Sequence, residues 1–172
     1  VSTAWEGSRP LLVEIQALVA DASSNYPKRL AHGIDQNRLA LLVAVLQRHG
    51  GIALSGEDVF VNVVGGLKIG ETSADLPAAI AIASRFRDRP CRDRFVSFGE
   101  IGLAGEVRPR RFGEERIRES AKQGIETAIV PASNGPRKPV TVIVVFGVSK
   151  LEEALAAALD YSISGCASAL AG

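Results

Sequence analysis

Methionine is absent from this 172-residue chain, cysteine and histidine each occur twice, and aromatic residues make up only 5%. Each shortage removes a class of function. Cys91 and Cys166 lie far apart with no paired spacing, and His32 and His49 are the only helpers, so no metal site is expected. The longest apolar run, Thr141 to Val148, falls well short of the roughly 20 residues that cross a bilayer and suits a buried strand. The opening residues carry no charged-then-apolar signal pattern. A cytoplasmic protein without membrane contact is the expectation. Lacking methionine, the chain is expected to be a fragment of a longer protein.

What is present is a core. The chain is 47% hydrophobic, long enough for one well-buried domain, and with few aromatics Val, Ile, Leu and Ala must fill it. Net charge is +1, but its distribution is uneven. Between Arg85 and Arg118 stand ten arginines against six acids, whereas the remaining residues sum to −3. Arginine outnumbers lysine fifteen to five, and its planar fork suits phosphate. The bland alternative is a solvated, salt-bridged surface. Aromatic interleaving is thin (Phe86, Phe95, Phe112), so phosphate contact rather than base stacking is the mode to weigh.

Alternation from Pro10 to Val19 predicts a strand with Val13, Ile15, Ala17 and Val19 on one face. A loop follows from Asp21 to Lys28. Asp35 can cap a helix reaching His49, with Leu39, Leu42, Val43 and Leu46 as its stripe and Gly50-Gly51 as its stop. Strands are predicted at Val59 to Val64, Phe95 to Phe98, Leu103 to Val107, Thr127 to Val130 and Val140 to Val145. Helices are predicted from Ala74 to Arg85, Gly113 to Lys122 and Lys150 to Leu159. The tail from Tyr161 is small and polar, and is expected to be loosely held. Two strand pairs look like neighbouring hairpins, which favours an α+β sandwich over a fully parallel sheet.

Three segments invite chemistry. Ser73 stands at a strand-to-helix turn that would expose its hydroxyl, although Thr72 or Ser73 can equally cap the helix. Gly65 to Thr72 has the glycine gap of a phosphate-binding loop, but Glu71 stands where lysine should, and a carboxylate there repels phosphates. Arg38, in the first turn of its helix, opposes the helix dipole unless it has a partner. A subunit or DNA contact is its functional alternative.

Gly70-Glu71-Thr72-Ser73-Ala74-Asp75, then Gly105-Glu106-Val107-Arg108-Pro109, Gly113-Glu114-Glu115-Arg116-Ile117 and Gly124-Ile125-Glu126-Thr127-Ala128 follow one ordered pattern. It resembles the proteolytic domain of the Lon family, in which a lysine activates a serine. Glycine and proline alignment puts Glu114 at the lysine's place, and a carboxylate cannot act as a neutral amine beside a hydroxyl. Glu6 to Val19, Asp58 to Gly66, Thr72 to Leu76, Arg87 to Pro90 and Phe98 to Glu106 resemble one branch more closely. That branch is the C-terminal domain of the RadA (Sms) family of bacterial DNA repair proteins, matched from about Glu6 to Asp160.

The resemblance implies a Lon-type α+β sandwich (ribosomal protein S5 domain 2-like) over residues 1–160, with 161–172 as tail. It implies no catalytic residue, Ser73 being vestigial, and a domain that assembles a hexameric ring and grips DNA beside RecA in recombinational repair. ATP, magnesium and zinc would belong to a zinc finger and RecA-like ATPase outside this chain, leaving none here. The DNA-binding candidates are Arg108, Arg110 and Arg111, in a loop short of acids, and then Lys28 and Arg29. The competing classes are an active Ser-Lys endopeptidase and a purely structural interaction module.

Overall fold

A computed structural model describes residues 2–6 and 9–159, with side chains from Pro10 onward. The tail from Tyr161 lies outside the described residues. In chain order, β1 (Ser2–Glu6) and β2 (Arg9–Val13) form an antiparallel hairpin, followed by β3 (Ile15–Asp21), β4 (Arg29–His32) and α1 (Gln36–His49). Next come β5 (Glu57–Val63), α2 (Asp75–Arg87), β6 (Phe95–Ser97), β7 (Glu100–Ile101) and β8 (Val107–Arg108). The order ends with α3 (Gly113–Lys122), β9 (Thr127–Pro131), β10 (Val144–Val148) and α4 (Leu151–Leu159).

Two sheets flank the central helix. A five-stranded sheet runs β10-β9-β6-β1-β2, parallel except at the β1/β2 hairpin, and a three-stranded sheet runs β3-β5-β4. Between them lies α2, buried on nearly every side through Leu76, Ala78, Ala79, Ile80, Ile82 and Ala83. A helix apolar all round must be covered all round, and alanine lets the neighbouring layers approach closely. Helices α1 and α4 pack beside it. Strand β9 alternates across its sheet: Ile129 joins the cluster of α2 and α4, while Ala128 and Val130 join Ile117 of α3 on the opposite face. The class is therefore mixed, with small sheets and four helices, in keeping with α+β.

Local signals placed the helices well. Asp35 caps α1 by accepting a bond from the Arg38 N–H at 3.0 Å, and α3 has the predicted bounds. Strands diverge more. The single strand predicted from Pro10 to Val19 breaks at Glu14 into β2 and β3, which enter different sheets. Leu103 to Val107 is mostly turn, because β7 and β8 form the hairpin around it. The run Thr141 to Val148 is no buried strand: Val142 (φ +70°) is 76% exposed, and the strand begins only at Val144, on a sheet edge.

Gly33 decides how the loop after β5 returns toward α2. Its φ is +92°, and an added Cβ would lie 2.5 Å from Val63 Cβ and 2.6 Å from the Leu67 carbonyl oxygen. Its own carbonyl accepts the Ile69 N–H at 2.6 Å. Gly33→Ala should therefore cost about 2–5 kcal/mol, overpacking adding to left-handed strain. Gly66→Ala (φ +71°, open space) should cost only about 1–2 kcal/mol. Urea midpoints of the two variants check the contrast.

Candidate functional site

The returning loop delivers Glu71 and Ser73 to the N-terminal side of α2. Ser73 is fully buried, in a short 3-10 turn, Thr72–Ala74. Its hydroxyl donates to Glu71 Oε1 at 2.7 Å. It does not cap α2: the position preceding that helix is Ala74, without a side-chain bond. Both the exposed hydroxyl and the serine cap are therefore corrected. The hydroxyl points to a carboxylate two residues back because that carboxylate is held from the other side.

Arg116 supplies the hold. Its side chain is 1% exposed, and Nη2 donates to both Glu71 oxygens at 3.0 Å. Nε donates to the Arg111 carbonyl at 3.0 Å, and the guanidinium lies 5.5 Å from the centre of the Phe98 ring. Glu114, the residue standing at the lysine's place, turns instead to Arg118 at 2.6 Å, one helical turn along. Thus α3 does meet the serine loop, but through Arg116. Glu71, with both oxygens engaged by a guanidinium, is not the neutral amine that activates a serine.

The network extends further. Arg110 Nη1 lies 3.1 Å from Glu100 Oε2 and Nη2 3.8 Å from Glu71, and the Thr72 hydroxyl donates to Glu100. Asp75, 3% exposed, accepts from Arg38 and from the Ile101 N–H at 3.1 Å. That is the partner the misplaced charge at Arg38 required. Burial pushes the Asp75 carboxyl above its ordinary range, against the pull of Arg38 and the Ile101 N–H. The Arg38 guanidinium, hydrogen-bonded to Asp75, holds its proton more firmly than usual.

The candidate DNA contacts separate into two groups. Arg29 is committed to backbone, donating to the Leu54 carbonyl at 2.9 Å and to that of Glu57. Arg108 pairs with Glu106 at 2.8 Å, whose carboxyl is held low by its own backbone N–H, then by Arg108 and the Ala104 N–H. With Arg110 paired as above, the loop is not short of acids: Glu106 adjoins it in sequence, and folding brings Glu71 and Glu100 to it. Arg111 and Lys28 are exposed, and neither side chain has an acidic partner among the described residues. The earlier arginines are largely structural. Arg85 binds the Ala17 carbonyl, Arg87 that of Gly50, Arg92 that of Ala157, and Arg94 pairs with Glu126.

A family model described as subunit ChlI of Mg-chelatase matches residues 36–134, more than half of the chain. The chain belongs to this family. The match spans α1 to the turn after β9 and so contains the whole Ser73–Glu71–Arg116 network. Curated relatives named DNA repair protein RadA are similar over nearly all of it. That of Salmonella typhimurium is 59% identical over 155 residues, that of Escherichia coli 57% over 155, and that of Bacillus subtilis 44% over 161. Each alignment covers 90–92% of this chain but 34–35% of the relative. The chain thus spans about a third of the length of these relatives. Among the described residues no group of three or more His, Cys, Asp or Glu side chains is arranged to hold a metal ion. No helix is long and apolar enough to cross a membrane among the described residues.

Sequence reasoning weighed Glu71 only as a misfit in a phosphate-binding loop and Arg116 only within a motif and a charged stretch; their pairing was missed. A signal existed for Arg116, because Gly113, Arg116, Ile117 and Ser120 fall at helical spacing and form the buried stripe of α3. A second arrangement left no signal. The Asn134 side chain clasps Arg110, accepting its N–H at 2.7 Å and donating to its carbonyl at 2.9 Å. This brings the turn carrying Arg137 and Lys138 to the arginine loop.

Arg116→Ala should destabilise by about 3–5 kcal/mol, because it leaves the Glu71 carboxylate without its buried partner. Ser73→Ala should cost about 1–3 kcal/mol, the worth of a hydrogen bond to a charged group. That loss should shrink in a Glu71→Gln background, a coupling that a helix cap would not show. Denaturant titration of the four variants measures it. For Asp75 the sign follows from its raised carboxyl. Its contribution is fully present below the unfolded value, near 3.8, and is lost as pH rises through the folded one. Relative to Asp75→Asn, the unaltered protein should lose stability as pH rises from acid toward neutral, measurable as the difference in unfolding midpoint.

Proposed function

We propose that this chain is a non-proteolytic, Lon-like domain of a RadA-type DNA repair protein, serving ring assembly and DNA contact rather than catalysis. The observation that carries the reading is the Ser73 hydroxyl, donated to a carboxylate that Arg116 already holds. Glu114 faces Arg118 and not the serine. The similarity to proteins named DNA repair protein RadA over about nine-tenths of the chain supports the repair context. ATP hydrolysis, with its magnesium and any zinc, would reside in the two-thirds of such proteins beyond this segment.

In this reading DNA is held by its phosphates. Arg111 leads, since its charge is not neutralised by an acid among the described residues, with Lys28 second. Arg108, Arg110 and Arg29 act behind them, shaping the loops. A single subunit offering two or three phosphate contacts binds weakly, whereas six linked subunits act at high effective concentration. A hexameric ring working alongside RecA in the cytoplasm is the assembly that this arrangement serves.

Two measurements test the proposal. A fluorophosphonate probe should leave Ser73 unlabelled and unfolded casein should remain uncut; labelling that disappears in Ser73→Ala would restore the endopeptidase. DNA affinity of the assembled protein should fall with salt, and Arg111→Ala should reduce the log–log slope by about 0.9 for each phosphate that a subunit no longer neutralises. An unchanged slope for Arg111→Ala together with Lys28→Ala would leave the structural module as the better description.

A further inference from the structure

Strand β3 is an open edge: it pairs with β5, and among the described residues no strand lies on its other side. Two bonds fix which of its backbone groups face outward. The Val64 N–H donates to the Glu14 carbonyl at 2.9 Å and the Ala22 N–H to that of Gly56 at 3.0 Å. Glu14 and every second residue to Ala22 therefore aim at β5, and Ile15, Ala17 and Val19 turn N–H and C=O the other way. Arg85 Nε, donating to the Ala17 carbonyl at 3.2 Å, marks that outer side. The outward N–H groups of Ile15, Ala17 and Val19 meet no acceptor among the described residues.

This ladder lines a cleft. Residues 14–17 form one wall of a space of about 430 Å³, facing Ala81, Ser84 and the segment 88–91. A second space of about 310 Å³ continues it over Ile80 toward Phe95. Natural sheets shorten, charge or cover their edges. Here the edge strand is seven residues long, and its outer-side cover among the described residues is one guanidinium on one carbonyl. Leu18, 56% exposed, stands in register with Phe60 and then Leu30, 47% exposed, so an apolar row runs across the outer sheet face to this edge. Glu14, Arg85, Asp88 and Arg89 all line the cleft, and of these Arg85 is a cation with no carboxylate partner among the described residues.

We propose that the cleft takes an extended segment of another polypeptide, with one acidic residue placed at Arg85, as a fourth strand on β3. The ladder supplies main-chain bonds to Ile15, Ala17 and Val19. Side-chain register supplies selectivity: an apolar residue continues the Leu18 row, and an Asp or Glu answers Arg85. A nucleic acid strand lacks the alternating donors and acceptors that this ladder requires.

The test pans random phage-displayed heptapeptides on the chain and measures the enriched sequences, made synthetically with a fluorescent label, by anisotropy. Enriched peptides should alternate apolar residues and carry an acid. Binding should weaken at least tenfold in Ala17→Pro, which removes only an outward N–H, and in Arg85→Glu. It should be unchanged in Arg111→Ala, which separates this surface from the proposed DNA contact. Amide exchange at Ile15 and Val19 should slow when peptide binds, a readout that stands if Ala17→Pro fails to fold. Failure to enrich any peptide, or peptides indifferent to Arg85→Glu with no slowing at Ile15 and Val19, would overturn the proposal. So would a dimer of the chain dispersed by Leu18→Lys, since the edge would then serve a second copy.

Discussion

A guanidinium taken almost wholly out of water must keep its counter-charge, and at Arg116 that requirement ties three parts of the molecule together. Arg116 rises from α3, Glu71 comes from the loop after β5, and Ser73 opens the turn into α2. Removing any partner leaves a buried polar group unanswered, which costs more than the pair itself contributes. The loop is therefore held in one conformation without a ligand. The same bonds that position the serine set a carboxylate at its hydroxyl, not the neutral amine that activates a serine.

Arginine in this chain is mainly an internal connector. Its long stem lies along apolar surface and its fork reaches carbonyls or carboxylates on other elements. Arg85, Arg87 and Arg92 each end at a backbone carbonyl of a different segment, and Arg38 reaches Asp75 from the start of α1. A carbonyl partner fixes the side chain without neutralising its charge, while Arg111 and Lys28 are exposed with no acidic partner among the described residues. A basic stretch in sequence and a basic surface in space are different things here, since Glu71 and Glu100 converge on the arginine loop only after folding.

The central position of α2 explains how a chain with few aromatics builds its core. Small side chains let two sheets and two further helices close around one helix, and the close packing compensates for the missing bulk. That leaves the outer face and the free edge of the three-stranded sheet as the least covered parts of the fold, with Leu18 and Leu30 exposed there. The opposite sheet carries α3 on its far face, packed against β9.

The amino-acid sequence by itself determined the elements whose causes are local. Asp35 before an apolar stripe and Gly50-Gly51 after it set α1; the acids of the first turn and the closing Gly124 set α3. Family resemblance was legible in ordered glycines and prolines, and Glu114 marked the missing lysine. The tertiary structure decided strand partners, because pairing such as β9 with β6 and β10 depends on residues far apart in the chain. It also decided the fate of Ser73. Its acceptor lies two residues away, but that acceptor is held in place by Arg116, 45 residues beyond it. Short-range hydrogen bonding and periodicity write themselves into sequence; the desolvation that makes an ion pair obligatory exists only once the layers have closed.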